Sequence, residues 1–146
     1  MKKIINGKVY DTSPAKRLGE YEPSPYKSDF HWFAETLYKK MNGEFFIHGE
    51  GNAASKYSKT VGQNEWAGGE KIIPLTYEEA QAWAEKHLDG DDYISIFGEP
   101  DEDDSKAQIH INLPVATIAK VKALAAKRGE TVSGFINALI LSADDK

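Results

Sequence analysis

Residues 107–114 read A-Q-I-H-I-N-L-P, and the stretch from there to Lys146 decides the fold. Ile109, Ile111 and Leu113 alternate with Gln108, His110 and Asn112, the period of two of a strand with one apolar and one polar face. Pro114 has no amide proton and pre-sets the first dihedral of a helix, so the strand ends there. Val115 to Arg128 predicts a helix with Ile118, Val121, Leu124 and Ala125 on one side and Lys120, Lys122 and Lys127 outside. Gly129 is the stop expected just past a helix. Thr131 is a good N-cap for a second helix, whose Val132, Phe135, Ile136, Leu139 and Ile140 follow i, i+3, i+4, i+7, i+8.

One strand and two short helices, roughly forty residues, bury too little surface to stand alone, and a lone strand leaves both edges unpaired. A two-fold dimer solves both problems: the strands pair antiparallel and the four helices interlock beneath them. The expected dimer core is Ile109, Ile111, Leu113, Ile118, Val121, Phe135, Ile136 and Leu139. Gln108, His110 and Asn112 of both chains then share one polar face. A two-stranded ribbon fits the major groove, where amide and imidazole groups read base edges.

This segment resembles the ribbon-helix-helix DNA-binding domains of the Arc, MetJ and CopG repressors and of many antitoxins. The resemblance rests on the alternating strand, the L-P junction and the G-E-T-V-S entry to the second helix. It implies base contacts from Gln108, His110 and Asn112. It also implies a phosphate at the start of the second helix, where Thr131, Val132 and Ser133 stand, with Lys106 as a further phosphate contact. Free amides at a helix start favour an anion for a plain dipole reason. A dimerising module that never meets DNA would carry the same pattern, because a fold fixes a surface and not its use.

The 146 residues have room for this tail and a domain of about one hundred residues before it. A net charge of −5 suits a DNA binder poorly until the chain is divided. Residues 1–105 hold 12 lysines and arginines against 20 carboxylates, a net of −8; residues 106–146 hold 6 against 3, a net of +3. That asymmetry fits a basic reader joined to an acidic partner-binding domain. The absence of cysteine removes disulfides, thiolate zinc sites and thiol catalysis. No apolar run approaches the ~20 residues of a membrane helix, and M-K-K-I-I-N-G lacks a signal-peptide core, so a cytoplasmic protein with no membrane partner is expected.

From the start, K-K-I-I-N-G-K-V-Y-D-T predicts a hairpin at Asn6-Gly7, and T-L-Y-K-K-M-N-G-E-F-F-I-H a second one at Asn42-Gly43. Together they suggest an antiparallel meander. Residues 13–29, with three prolines, read as an irregular surface connection. Residues 49–69 are rich in Gly, Ser and Asn with isolated Tyr57 and Trp66, and show neither helical nor strand period. K-I-I-P-L predicts a strand at a sheet edge because of Pro74. Thr76 and Glu79 form a capping box for a helix from Tyr77 to Leu88 with Ala80, Trp83, Ala84 and Leu88 inward. Asp89-Gly90 ends it, and Tyr93 to Phe97 predicts one further strand. G-E-P-D-E-D-D-S at 98–105 is an acidic linker.

Little chemistry is assembled. His31, His48, His87 and His110 show no metal-ligand spacing, and His87 suits a helix-end cap. His48 ahead of Gly49-Glu50-Gly51 leaves a general base open but undirected. G-E-G-N-A-A fits a dinucleotide pattern formally, yet no amphipathic helix follows, and turn glycines with positive φ are the better reading. The aromatic cluster Phe30, Trp32, Phe33, Tyr38, Phe45 and Phe46 could stack single-stranded bases, but on an acidic domain it reads as core or a protein-binding face. The run at 99–104 could mimic phosphates, and reads by default as a solvated linker. No catalytic residue, metal or cofactor is expected, and the chain is not expected to be an enzyme.

A second resemblance covers about residues 2–86. K-K-I-I-N-G-K-V-Y-D-T, D-F-x-x-F-x-E-T-L-Y, F-F-I-H-G-E-G-N-A-A-S-K-Y and K-I-I-P-L-T-Y-E-E-A-Q-A-W-A-E are similar to a small amino-terminal domain on plasmid- and phage-borne proteins of Gram-positive bacteria. Several proteins with that domain are anti-CRISPR inhibitors. The resulting expectation is an α+β chain. Residues 1–98 form a small antiparallel sheet with one packed helix, 99–106 an acidic linker, and 107–146 a dimeric ribbon-helix-helix. The resemblances imply a mobile-element protein whose partners are a second copy, double-stranded DNA and a CRISPR effector. The alternative is a transcriptional repressor or antitoxin whose amino-terminal domain binds a toxin or ligand.

Overall fold

The computed structural model describes residues 1–100, 102, 107 and 109–143. The chain is α+β and divides into two compact units, Met1–Gln108 and Ile109–Lys146. Among the described residues no helix is long and apolar enough to cross a membrane.

In the first unit, β1 (Lys2–Ile5) and β2 (Lys8–Asp11) pair as a hairpin through Asn6 and Gly7, whose φ angles of 51° and 77° are those of a type I′ turn. A four-stranded antiparallel sheet follows in the order β3 (Lys16–Tyr21), β4 (Phe33–Lys39), β5 (Phe45–Gly51), β8 (Gly69–Leu75). The β4–β5 hairpin closes with the Lys40 amide donating to the Glu44 carbonyl at 2.7 Å and Gly43 at φ 92°, so only the glycine of Asn42-Gly43 takes positive φ. Pro74 lies in β8 at the edge, where a missing donor costs no ladder bond on the open side. Strands β6 (Lys59–Gly62) and β7 (Glu65–Ala67) form a small hairpin of their own.

Consecutive Phe45, Phe46 and Ile47 are all buried because the sheet is covered on both faces there. Leu37, Phe45 and Ile47 pack on Ala80 of α1 (Tyr77–His87), joined by Ile96 and Phe97 of α2 (Gly90–Phe97). Phe46 and Ile72 face the other way, onto Tyr10 of the β1–β2 hairpin. The Thr76–Glu79 capping box is present, with both reciprocal hydrogen bonds.

Four expectations are corrected. The connection 13–29 contains β3; its register slips between Arg17 and Gly19, which hides the alternation, and Gly19 leaves room for Leu88. Tyr93–Phe97 is the end of helix α2, not a strand. Asp89 caps it by accepting from the Asp92 amide at 2.8 Å, and Phe97 packs on Phe45 and Tyr77, so two helices cover the sheet rather than one. The two Asn-Gly hairpins do not join in one meander: β1–β2 pairs separately and packs on the sheet, while β3, β4 and β5 are consecutive antiparallel neighbours.

The fourth correction is the glycine-rich stretch, which holds the end of β5, the β6–β7 hairpin and an ordered loop between them. The Asn52 side chain donates to the Lys27 and Asp29 carbonyls at 2.6 and 2.7 Å, and the Ala54 amide to Phe30 at 2.8 Å. Gly49 and Gly51 lie in the strand rather than in a positive-φ turn. They form a flat floor: Tyr57 lies on Gly49 and Ser55 on Gly51.

The second unit contains α3 (Val115–Lys127) and α4 (Val132–Leu141), within a residue or so of the spans expected. Gly129, at φ 66°, ends α3. The Glu130 amide donates to the Ala125 carbonyl at 2.9 Å and the Gly129 amide to Ala126 at 3.1 Å, the paired bonds of a Schellman motif.

Candidate nucleic-acid interface

The tail is a helical hairpin with half a core. Ala125 and Phe135 are buried, with the Arg128 guanidinium 5.3 Å from the Phe135 ring centre, and Val121 and Ile136 are partly covered. The rest of the expected dimer core is open: Ile109 is 85% and Ile111 59% exposed, and Leu113, Ile118 and Leu139 are exposed as well. Two short helices offer no second layer for these side chains.

Residues 109–114 take no regular secondary structure in the single chain. Among the described residues the expected strand is therefore not formed as a ladder. His110 and Asn112 lie on this segment and both are exposed. Gln108 and Lys106, expected at the bases and the phosphates, lie outside the described residues.

At the start of α4 the Thr131 hydroxyl accepts from the Gly134 amide at 3.0 Å, as an N-cap should. Val132 and Ser133 follow in the first turn, whose amides are the ones an anion meets. Among the described residues of this unit, Lys120, Lys122, Lys127 and Arg128 supply the positive charge. The arrangement provides polar side chains on an extended segment, a capped helix start and lysines, with an apolar side left uncovered.

In the first unit, His48 is the residue the sequence leaves open as a general base. His48 meets Glu70, not Glu50, with its Nε2 2.9 Å from a Glu70 oxygen across β5–β8. His87 stands in the last turn of α1, as expected of a helix-end residue; it stacks on Tyr21 at 3.9 Å, and burial holds its imidazole below the ordinary histidine value despite the opposing pull of Glu35. Among the described residues no group of His, Asp or Glu side chains is placed to hold a metal ion.

One polar cluster escaped the sequence reading. Glu35, buried in β4, accepts from Lys56 Nζ at 2.8 Å and from the Tyr57 hydroxyl at 3.0 Å. Burial, then the Glu35 carboxylate, pushes the Tyr57 phenol far above its ordinary value, so it stays a donor. Its geometry is that of a clamp fastening the loop to the sheet. A carboxylate inside the apolar run F-A-E-T-L-Y was the available signal.

Compared with models of protein families, with characterised proteins and with solved structures, the chain returns no match.

Proposed function

We propose that this chain is a dimeric DNA-binding protein of the ribbon-helix-helix kind, whose amino-terminal unit engages a CRISPR effector as an inhibitor of the anti-CRISPR kind. The observation that carries the dimer is the exposure of Ile109, Ile111 and Leu113, together with that of Leu139. Large exposed apolar rows mark surfaces meant for a partner, and a second copy supplies a row of the same shape and the missing ladder. DNA binding follows from what such a pairing leaves outward: Gln108, His110 and Asn112 toward base edges, with Lys106 and the Thr131–Ser133 helix start toward phosphates. The tail also serves to repress the protein's own promoter.

The effector reading is supported by the resemblance of residues 2–86. A repressor or antitoxin uses the same tail, and the exposed His110 and Asn112 suit it equally. Two experiments separate the readings. Asn112→Ala or His110→Ala lowers affinity for a palindromic operator by about 1–3 kcal/mol, with the loss confined to one base pair per half-site in a binding-selection assay. A uniform loss across all sequences would assign these residues to the backbone instead. Full-length protein is expected to block target cleavage by a CRISPR effector at near-stoichiometric amounts and to co-purify with it. If a panel of effectors shows neither, the repressor or antitoxin reading stands.

A further inference from the structure

We infer that the pocket between α1 and α2 is a docking site for a basic protein segment, which it holds by an arginine. This rests on reading the first unit as the protein-binding half, and it assigns that binding one pocket and one partner chemistry.

The pocket has a volume of ≈410 Å³. It is lined by Glu85 and Leu88 from the end of α1, by Asp89, by Tyr93 and Ile94 of α2, and by Pro100. Leu88, Tyr93, Ile94 and Pro100 make its walls apolar, and Ile94 is exposed there with no layer of the first unit over it. The charged groups in the lining, Glu85 and Asp89, are both carboxylates.

Their charge is not neutralised from around the pocket. Residues 85–100 hold five carboxylates against one lysine, Lys86. Among the described residues none of these five is in an ion pair, whereas Asp11, Glu20, Glu35, Glu44 and Glu70 each are. Asp89 accepts from the Asp92 amide, a hydrogen bond that leaves its charge in place. The amino end of α2 offers roughly half a positive charge, which Asp89, Asp91 and Asp92 outweigh. Lys39 lies over the Phe45 ring at 5.6 Å, and neither it nor its cross-strand neighbour Lys16 lines the pocket. His87 adds little, because burial holds its imidazole below the ordinary value.

Unpaired carboxylates on an apolar pocket select a cation with an apolar stem. Phosphate is repelled by the same charges, which rules out nucleic acid and anionic lipid as the occupant. Arginine suits the lining better than lysine. Its planar guanidinium forks onto a carboxylate such as Glu85 and stacks on a ring such as that of Tyr93, while its methylenes cover Leu88 and Ile94.

The test is an NMR titration of the full chain with a peptide of alternating arginine and glycine, its lysine and glutamate counterparts, and spermine. The arginine peptide is expected to shift the amides of Glu85–Ile94 saturably, with an affinity that falls about tenfold from low to physiological salt. The lysine peptide and spermine should bind several-fold more weakly. The Glu85→Gln, Ile94→Ser double variant, altered only at exposed positions, is expected to weaken the arginine peptide by about tenfold. The proposal is overturned if those amides do not move, or if the shifts fall on residues 99–104 instead. It is equally overturned if the double variant binds unchanged, or if spermine, the lysine peptide or the glutamate peptide binds there as tightly. Shifts in α1 and α2 are read without any CRISPR effector and independently of the tail. A failure here therefore leaves the proposed function standing, and an effector panel without a hit leaves this pocket standing.

Discussion

If the tail pairs as proposed, Ile111→Lys is expected to separate its two copies and abolish specific DNA binding while each chain stays folded. Ile111 is more than half exposed in the single chain, so little is lost within one copy. Across the proposed seam the substitution acts twice, removing about 2 kcal/mol of apolar burial per copy and setting like charges against each other. Some 4 kcal/mol corresponds to roughly a thousandfold weaker dimerisation, which puts the protein in its monomeric form at micromolar concentration. Half-site readers draw specificity from fixed two-fold spacing, so operator affinity falls to the non-specific level. Sedimentation velocity and operator titration on the same preparation check both. A variant that stays dimeric, or a monomer that still finds the operator, would refute the seam.

Gly49→Ala produces the second large loss, in the other unit. A β-carbon at Gly49 would stand 2.1 Å from the Tyr57 ring, closer than any contact tolerates, so the buried ring must leave its seat. The Tyr57 hydroxyl then loses Glu35, and Glu35 keeps only Lys56 as a partner in a buried position. Overpacking together with a lost buried hydrogen bond costs about 3 kcal/mol or more, which lowers the melting temperature of a domain this size by about 15 °C. Gly90→Ala is the control, since a β-carbon there meets nothing within 4 Å, and its stability should match or slightly exceed that of the wild type. If Gly49→Ala melts with the wild type, the loop is not clamped as described. If the tail dimerises as proposed, both variants should dimerise like the wild type.

Where the sequence carried a local cause, the fold was legible. Asn6-Gly7, the Thr76–Glu79 box, Pro74 and the Gly129 stop each determine their own few residues through backbone chemistry, and each stands where expected. The misread elements draw their structure from distant residues. Tyr93–Phe97 is β-prone in composition, yet Phe97 gains its place against Phe45 and Tyr77 only in a helix, for which the Asp89 cap was the overlooked signal. The alternation of β3 is broken by its slip at Gly19, a residue selected by Leu88 far along the chain. Glycines 49 and 51 looked like turn formers because their use, a floor without side chains, becomes visible only once Tyr57 and Ser55 lie on it. The Glu35–Lys56 pair spans 21 residues and follows no periodicity.

The candidate interface divides the same way. The helices, the cap at Thr131 and the apolar row were readable because they are periodic, and the structure places them accordingly. The proposed ribbon would be a property of two chains; the single chain has Ile109, Ile111 and Leu113 exposed on a segment without regular secondary structure.

The most direct measurement is an isotope-filtered NOE experiment on the full chain, mixing labelled and unlabelled copies. Antiparallel pairing predicts contacts between copies along residues 109–113, with Ile109, Ile111 and Leu113 of one chain near those of the other, and a solution mass twice that of the chain. A single-chain mass, or contacts of 109–113 confined to their own chain, would contradict it.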